Sequence, residues 1–308
     1  MTARRIPGSR TIARIARACR RTLRPTTDGI ERRVVEAKRR ELGRRRAFGP
    51  ADLEALEALA RSAAEVLPVR EAFAHAGKRS GVLTIRHDMD HDVENSIRFA
   101  EWEAARGIRS SYYVLHTDWY WGERPDEPSQ FLVRALGRIA RLGHEIGVHN
   151  NAITVGLRER RDPAGILDEV LGALRRHGFD VIGTAAHGDP LCRLAGYLNS
   201  ELFKECANAK DGPPDRTIRY DTPESGTSYE VRLRPVPMAE LGLAYEANFI
   251  GQGLYVSDAG GRWNTRLPRI QERFVSEEPF LQALVHPLWW AFEGEPIRPR
   301  PAIGEATA

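Results

Sequence analysis

Val82-Leu83-Thr84-Ile85-Arg86-His87-Asp88-Met89-Asp90-His91-Asp92 is the stretch on which the fold of this chain turns. Its first half is a short, bounded apolar run, the pattern of a buried strand. Its second half releases Asp88, Asp90 and Asp92 with His87 and His91 where that strand ends. Gathering so much negative charge costs free energy unless a cation or a proton relieves it. A divalent metal is the simplest relief. A second reading stays open here: a solvated acidic turn in which Asp92 caps the following helix.

Working outward, strand and helix patterns alternate. Residues 93–106 read as a helix with Ile97, Ala100 and Ala104 inward and Gly107 as its stop. Residues 109–116 read as a strand, and Ser129 opens a helix that Gly143 ends. Residues 145–149 form a short strand, Asp162-Pro163 opens a further helix, and 179–186 form another strand. Upstream, residues 50–76 read as one helix with Leu53, Leu56, Ala60 and Ala63 in register. Alternation of this kind predicts an α/β fold on a parallel sheet, open or closed into a barrel.

Charge divides the chain unevenly. Residues 1–48 hold 16 Lys or Arg against four acids, a net +12, so the remainder carries −8 of the total +4. Ile12, Ile15, Cys19 and Leu23 recur at helical spacing among arginines, giving a crude basic amphipathic helix. Three readings of this arm stay open: a solvated basic tail, a helix on an anionic membrane surface, and a nucleic-acid contact. The last is disfavoured because no aromatics interleave with the charge. Cys19, Cys192 and Cys206 make neither a metal spacing nor a disulfide framework, and no apolar stretch approaches a membrane span. Arginines interrupt any signal-peptide core. The expected location is cytoplasmic, peripheral to the inner face of the membrane if the arm binds there. The expected organisation is an arm over 1–48, a packed helical segment over 49–80, a barrel over 81–295 and a tail over 296–308.

Ionisable residues fall at successive strand ends: Asp88 and Asp90, then His149, then His187, then His286 after the last apolar run. In barrels of alternating strands and helices, that rim carries the active site. A lone histidine is more often structural than a ligand, but three with two aspartates on one rim reverse that expectation. His144 precedes its strand at the opposite end and reads as structural. His75, His116 and His177 have no motif around them.

The order of motifs resembles the NodB-type polysaccharide deacetylases, carbohydrate esterase family four, over roughly residues 81–290. Thr84 to Asp90 stands where that family ends a strand in two aspartates, and Leu142-Gly143-His144-Glu145-Ile146-Gly147-Val148-His149 is similar to its second motif. Tyr255 to Trp263 resembles the fourth motif and Leu284-Val285-His286 the fifth. The resemblance implies a distorted (β/α) barrel with Asp88 as catalytic base, Asp90 and His149 as metal ligands and His286 as general acid. It also implies one divalent ion, zinc foremost, with cobalt, nickel or manganese as alternatives. The family's second imidazole lies four residues after the first, where this chain has Ile153. His187 is the replacement, with Asn150 and His91 as lesser candidates. Arg262 either orients Asp88 or lies on the surface. Trp263, Asp258 and Trp289 are expected at the substrate pocket.

The implied activity is metal-dependent removal of an acetyl or formyl group from an amino sugar, a nucleotide- or lipid-linked intermediate of polysaccharide synthesis. Hydrolysis of a small non-sugar amide and a binding protein that has lost the chemistry stand as alternatives, the latter because of Ile153.

Overall fold

The computed structural model describes residues 27–75, 80–206, 215–222, 226–251, 253–276 and 280–298. The chain divides into two units, Met1–Glu41 and Leu42–Ala308. In the first, the described part is the opening of a helix, Thr27–Gly43, with an exposed Lys38–Glu41 pair at 2.9 Å. The amphipathic stretch around Ile12–Leu23 and the tail beyond residue 298 lie outside the described residues. The division falls at Leu42, so residues 42–48, grouped by charge with the arm, belong with the body. Among the described residues no helix is long and apolar enough to cross a membrane.

The second unit is built on one parallel sheet. Its strands are β1 (Glu65–Val66), β2 (Val82–Asp88), β3 (Ser111–Leu115), β4 (Glu145–Asn150) and β5 (Gly183–Ala186), then, after a separate antiparallel hairpin of β6 (Arg216–Asp221) and β7 (Ser228–Leu233), β8 (Tyr245–Glu246), β9 (Leu254–Ser257) and β10 (Phe280–Val285). The order is β8-β5-β4-β3-β2-β10-β9, with β1 beside the start of β2. Helices Val93–Ala104, Gln130–Arg141 and Pro163–Arg176 return the chain between strands. Their N-caps are the expected ones: Asp92, Ser129 and Asp162 each accept a backbone N–H. Leu132, Leu136 and Ile139 bury one face of the second of these helices, and Ile166, Val170 and Leu174 one face of the third.

The sheet curls into a half-barrel. β8 and β10 are far apart in strand order, yet Gln282 Nε2 donates to Ala247 O at 2.8 Å. Arg86 Nη1 likewise donates to Asn248 Oδ1 at 2.7 Å. These two bridges span the seam that no described ladder closes. Inside the curve, Tyr113 and Tyr245 meet hydroxyl to hydroxyl at 2.8 Å. Two glycines admit their rings: a Cβ on Gly147 would lie 2.5 Å from Tyr113, and one on Gly183 would overlap Tyr245. Tyr245 OH also donates to Glu145, whose carboxyl burial pushes above its usual range. This network fills the N-terminal end of the curve.

Residues 50–76 depart from the sequence reading. They form two helices, Pro50–Ser62 and Val69–Ala74, with β1 between. The first helix ends at Ser62, where Ala63 turns extended, and Pro68 serves as the N-cap of the second. Leu67 N–H then donates to Leu83 O at 3.0 Å, docking the segment on β2.

Replacing Gln282 by alanine removes one of the two seam bridges and leaves Ala247 O buried without its donor. The substitution should destabilise the protein by about 1–3 kcal/mol, read as a lowered urea midpoint with unchanged slope.

Candidate metal centre

β2, β4 and β5 deliver the central residues, and their parallel register decides which side chains meet. His149 stands opposite Leu115 on one side and Ala185 on the other, two residues before His187. Asp90 follows β2 directly. One ligand atom from each of Asp90, His149 and His187 lies within 4.8 Å of the others. His149 Nε2 is 3.5 Å from Asp90 Oδ1 and 3.0 Å from His187 Nδ1, and His187 Nδ1 is 4.0 Å from Asp90 Oδ1.

Three observations suit this cluster to a cation. Asp90 Oδ1 is buried without a hydrogen-bond partner, which is costly unless something else compensates it. His149 Nδ1 lies 2.8 Å from Ala185 O, and because a carbonyl only accepts, that nitrogen carries the proton. Its Nε2 therefore faces the cluster. Burial, then His149 beside it, pull the His187 pKa down to about 4 against the opposing pull of Asp90. One carboxylate oxygen and two imidazole nitrogens form a donor set suited to a zinc-class divalent ion.

The neighbours fix this choice of ligands. Ile153 is fully buried in the helix Ala152–Glu159, and its N–H donates to Asn199 Oδ1 at 3.1 Å. The side chain of Asn150 is committed elsewhere, donating to Asn199 O and accepting from Ala152 N–H. His91 sits in the left-handed region at φ 62, with its ring 2.7 Å from Asp118; that bond, against the effect of burial, raises its pKa. Neither lesser candidate faces the cluster as His187 does. His187 is held in turn by its N–H to Asn150 O at 2.9 Å and by Asn199 Nδ2 on its own carbonyl at 2.9 Å.

Around the triad stand an anion and a cation of fixed charge. Asp88 is 2 % exposed and receives two parallel bonds from Arg86, Nε to Oδ1 at 2.8 Å and Nη2 to Oδ2 at 2.7 Å. Burial works against its ionisation, but Arg86 and then His149 outweigh it and hold the carboxyl well below the usual range. Asp88 Oδ2 is 3.4 Å from His149 Nε2. On the adjacent strand His286 follows β10, whose Val285 is in register with His87. Its Nδ1 is 2.6 Å from Asp258 Oδ1, and its backbone N–H donates to the same carboxylate. Burial would lower the His286 pKa, but Asp258 reverses this and raises it to about 9.

Several sequence expectations move. Asp258, expected at the substrate pocket, is fully buried and spends its oxygens on His286 and on Trp290 Nε1 at 2.7 Å. Arg262 is exposed, and the place beside Asp88 belongs to Arg86. Trp263 packs on Phe48 and Trp290 at 5.5 and 5.8 Å. Trp289 is partly buried, and its carbonyl accepts from Ala47 and Phe48 N–H. Asp92 is both the cap of the next helix and the partner of Arg46 at 2.8 Å, so the capping reading holds for that residue while Asp90 takes the other. His87 points away from the site and pairs with buried Glu103 at 2.8 Å. His144 is structural, as expected, with Nε2 2.9 Å from Ala100 O.

Sequence reasoning passed over His116, Asn199 and Asn248. His116 is buried and accepts Asn151 N–H at Nε2; burial, with His149 and His187 near, pulls its pKa down to about 3. Its place after β3, between the Asp90 and His149 strands, was a usable signal. No protein-family model, curated protein or solved structure matches the chain.

The triad sets a test. His187→Ala should lower zinc or cobalt affinity by about an order of magnitude or more, since even outer-shell losses cost roughly 10-fold. Isothermal titration of the metal-stripped protein measures it, and unchanged affinity would remove His187 from the ligand set.

Proposed function

We propose that this chain is a metal-dependent amide hydrolase of the NodB deacetylase type, removing an acetyl or formyl group from the nitrogen of an amino sugar. One observation carries the reading. A carboxylate held ionised and an imidazole held protonated flank a partly buried Asp/His/His donor set on one rim. Acid and base work together at neutral pH only if their surroundings force them into opposite protonation states. Arg86 does this for Asp88 and Asp258 does it for His286.

Asp90, His149 and His187 would hold the ion, zinc foremost. When bound, such an ion acts as a Lewis acid on the amide carbonyl and lowers the pKa of water towards ~7. The residues divide the remaining work. Asp88, as the base, takes a proton from the attacking water. The C–O bond forms as the carbonyl carbon becomes tetrahedral, and the C–N bond then breaks. His286 delivers its proton to the departing nitrogen, so an amide and water become a carboxylic acid and an amine. The bidentate Arg86 grip fixes the direction in which Asp88 presents its free lone pairs. The substrate is proposed as a nucleotide- or lipid-linked saccharide, because the net +12 of residues 1–48 suits an anionic membrane surface where such lipids reside. The donor set argues against a binding protein without chemistry, since the position left by Ile153 is replaced by His187.

Asp88→Asn should abolish turnover with metal content intact, and His286→Ala should cut it by about 10²–10⁴-fold. The pH profile gives a finer test. His286 must carry its proton, so activity should fall as pH rises through the His286 pKa, which Asp258 raises to about 9. Any stability from this ion pair has the same sign: present in full below the ordinary imidazole pKa and lost as pH passes the raised one. In Asp258→Asn the alkaline limb should therefore move to lower pH. A limb that stays in place would take the acid role away from His286.

Deleting residues 1–41 should leave metal binding by the second unit intact and weaken sedimentation with phosphatidylserine vesicles, the wild-type binding itself fading with added salt. Binding that is indifferent to salt would refute an electrostatic arm.

A further inference from the structure

Arg46 is buried, at 3 % exposure, in a stretch whose composition reads as solvated arm. Two segments of the rim meet on its guanidinium. Nη2 pairs with Asp92 Oδ2 at 2.8 Å. Nη1 donates to Leu288 O at 2.6 Å and lies 3.5 Å from Pro287 O. The adjoining backbone reinforces the junction: Ala47 and Phe48 N–H both donate to Trp289 O, at 2.6 and 2.9 Å, and Ala291 N–H returns to Phe48 O at 2.8 Å. From the helix that Asp92 caps, Asn95 Nδ2 donates to Pro287 O at 2.6 Å and Trp290 O at 2.9 Å.

Burying a guanidinium is expensive, and where only packing is needed an apolar side chain of similar volume does as well or better. What the apolar side chain lacks is an ion-pair contact with Asp92 together with a hydrogen bond to Leu288 O. Asp92 lies two residues beyond Asp90, and Pro287 and Leu288 directly follow His286. The side chain of Arg46 therefore ties the segment bearing Asp88 and Asp90 to the segment bearing His286.

We propose that Arg46 is a positioning residue that sets the spacing between the metal-and-base segment and the general-acid segment, making residues 42–48 part of the catalytic unit. The proposal rests on the reading of His286 as general acid. A lysine is no equivalent: its ammonium is a single point charge on a flexible stem and does not reproduce the planar fork.

The test uses full-length, zinc-loaded protein with zinc content measured for each variant. Arg46→Met keeps the stem and removes the grip. It should retain zinc, leave KM for an N-acetylated amino-sugar probe little changed and lower kcat by about 10²-fold, the scale of a 1 Å misplacement. Arg46→Lys should recover only a small part of that loss. In Arg46→Ala, methylguanidinium should restore turnover where methylammonium at equal concentration does not. The NMR titration of the His286 ring, assigned with His286→Ala, should shift in Arg46→Met. This last readout needs no turnover, so it judges the strut even if no acylated amino sugar is hydrolysed and the functional reading fails. Wild-type kcat and an unmoved His286 resonance in Arg46→Met, or full recovery by lysine, would overturn the proposal. Loss of zinc with the substitution would overturn it too, by placing Arg46 in support of the ligands instead. Should Arg46→Met prove insoluble, Arg46→Lys carries the same comparison.

Discussion

Arg86 and Asp88 form a buried ion pair two residues apart on one face of one strand, and much of the molecule is organised around it. Alternation along β2 places both side chains inside the curve of the sheet. Neither charge could stay there alone, since removing one member of such a pair typically costs ~3–5 kcal/mol. The guanidinium has a third nitrogen, and it reaches across the seam to Asn248, which in turn donates to Glu246. One arginine thereby ties the β8 end of the half-barrel to β2 and fixes a carboxylate at its rim. The fold and the site are coupled through a single side chain, so a substitution there tests both together. The ring of Tyr113, 5.7 Å from the Arg86 guanidinium, extends the coupling down to the Tyr245–Glu145 network.

A parallel sheet makes the remaining assembly possible. Every strand ends on the same rim, so residues distant in sequence converge without any special loop. The charged partners of Asp88 and His286 come from different strands. Arg86 lies on β2, and Asp258 follows β9, beyond β10. This keeps the cation beside Asp88 apart from the anion beside His286. Had one group touched both, it would have pushed Asp88 and His286 in the same direction. Trp290, donating to the second oxygen of Asp258, holds that carboxylate towards His286.

Much of this arrangement was legible in the sequence. The strand ends were readable because apolar runs closed on ionisable residues, Asp88, Asp90, His149, His187 and His286 among them, and the resemblance to the deacetylases then singled out Asp90, His149 and His187 as ligands. Arg86 stood in the quoted stretch and was still passed over. An Arg two residues before an Asp on a strand shares its face, and that spacing was the available signal; a search for a distant arginine led to Arg262 instead. Arg46 was hidden by composition, because among 16 basic residues nothing in the sequence marks it as buried. Asn199 and Asn248 fall in residues 196–250, where β6, β7 and β8 and short turns carry no periodicity strong enough to read. The helix expected over 50–76 ends at Ser62, and Pro68, visible in the sequence and the N-cap of a second helix, was outweighed by the leucine spacing before it.

On the proposed NodB-type reading the second imidazole comes from the end of β5, and the register accommodates it. β4 and β5 are neighbours, with His149 level with Ala185, so a side chain just beyond β5 lies close to His149, and His187 Nδ1 stands 3.0 Å from its Nε2. Ile153 is fully buried in the core. Asn199 anchors both residues. Its Oδ1 accepts Ile153 N–H, and its Nδ2 donates to His187 O and Asn151 Oδ1. One buried amide thus binds Ile153 to His187, which makes the two positions a linked pair.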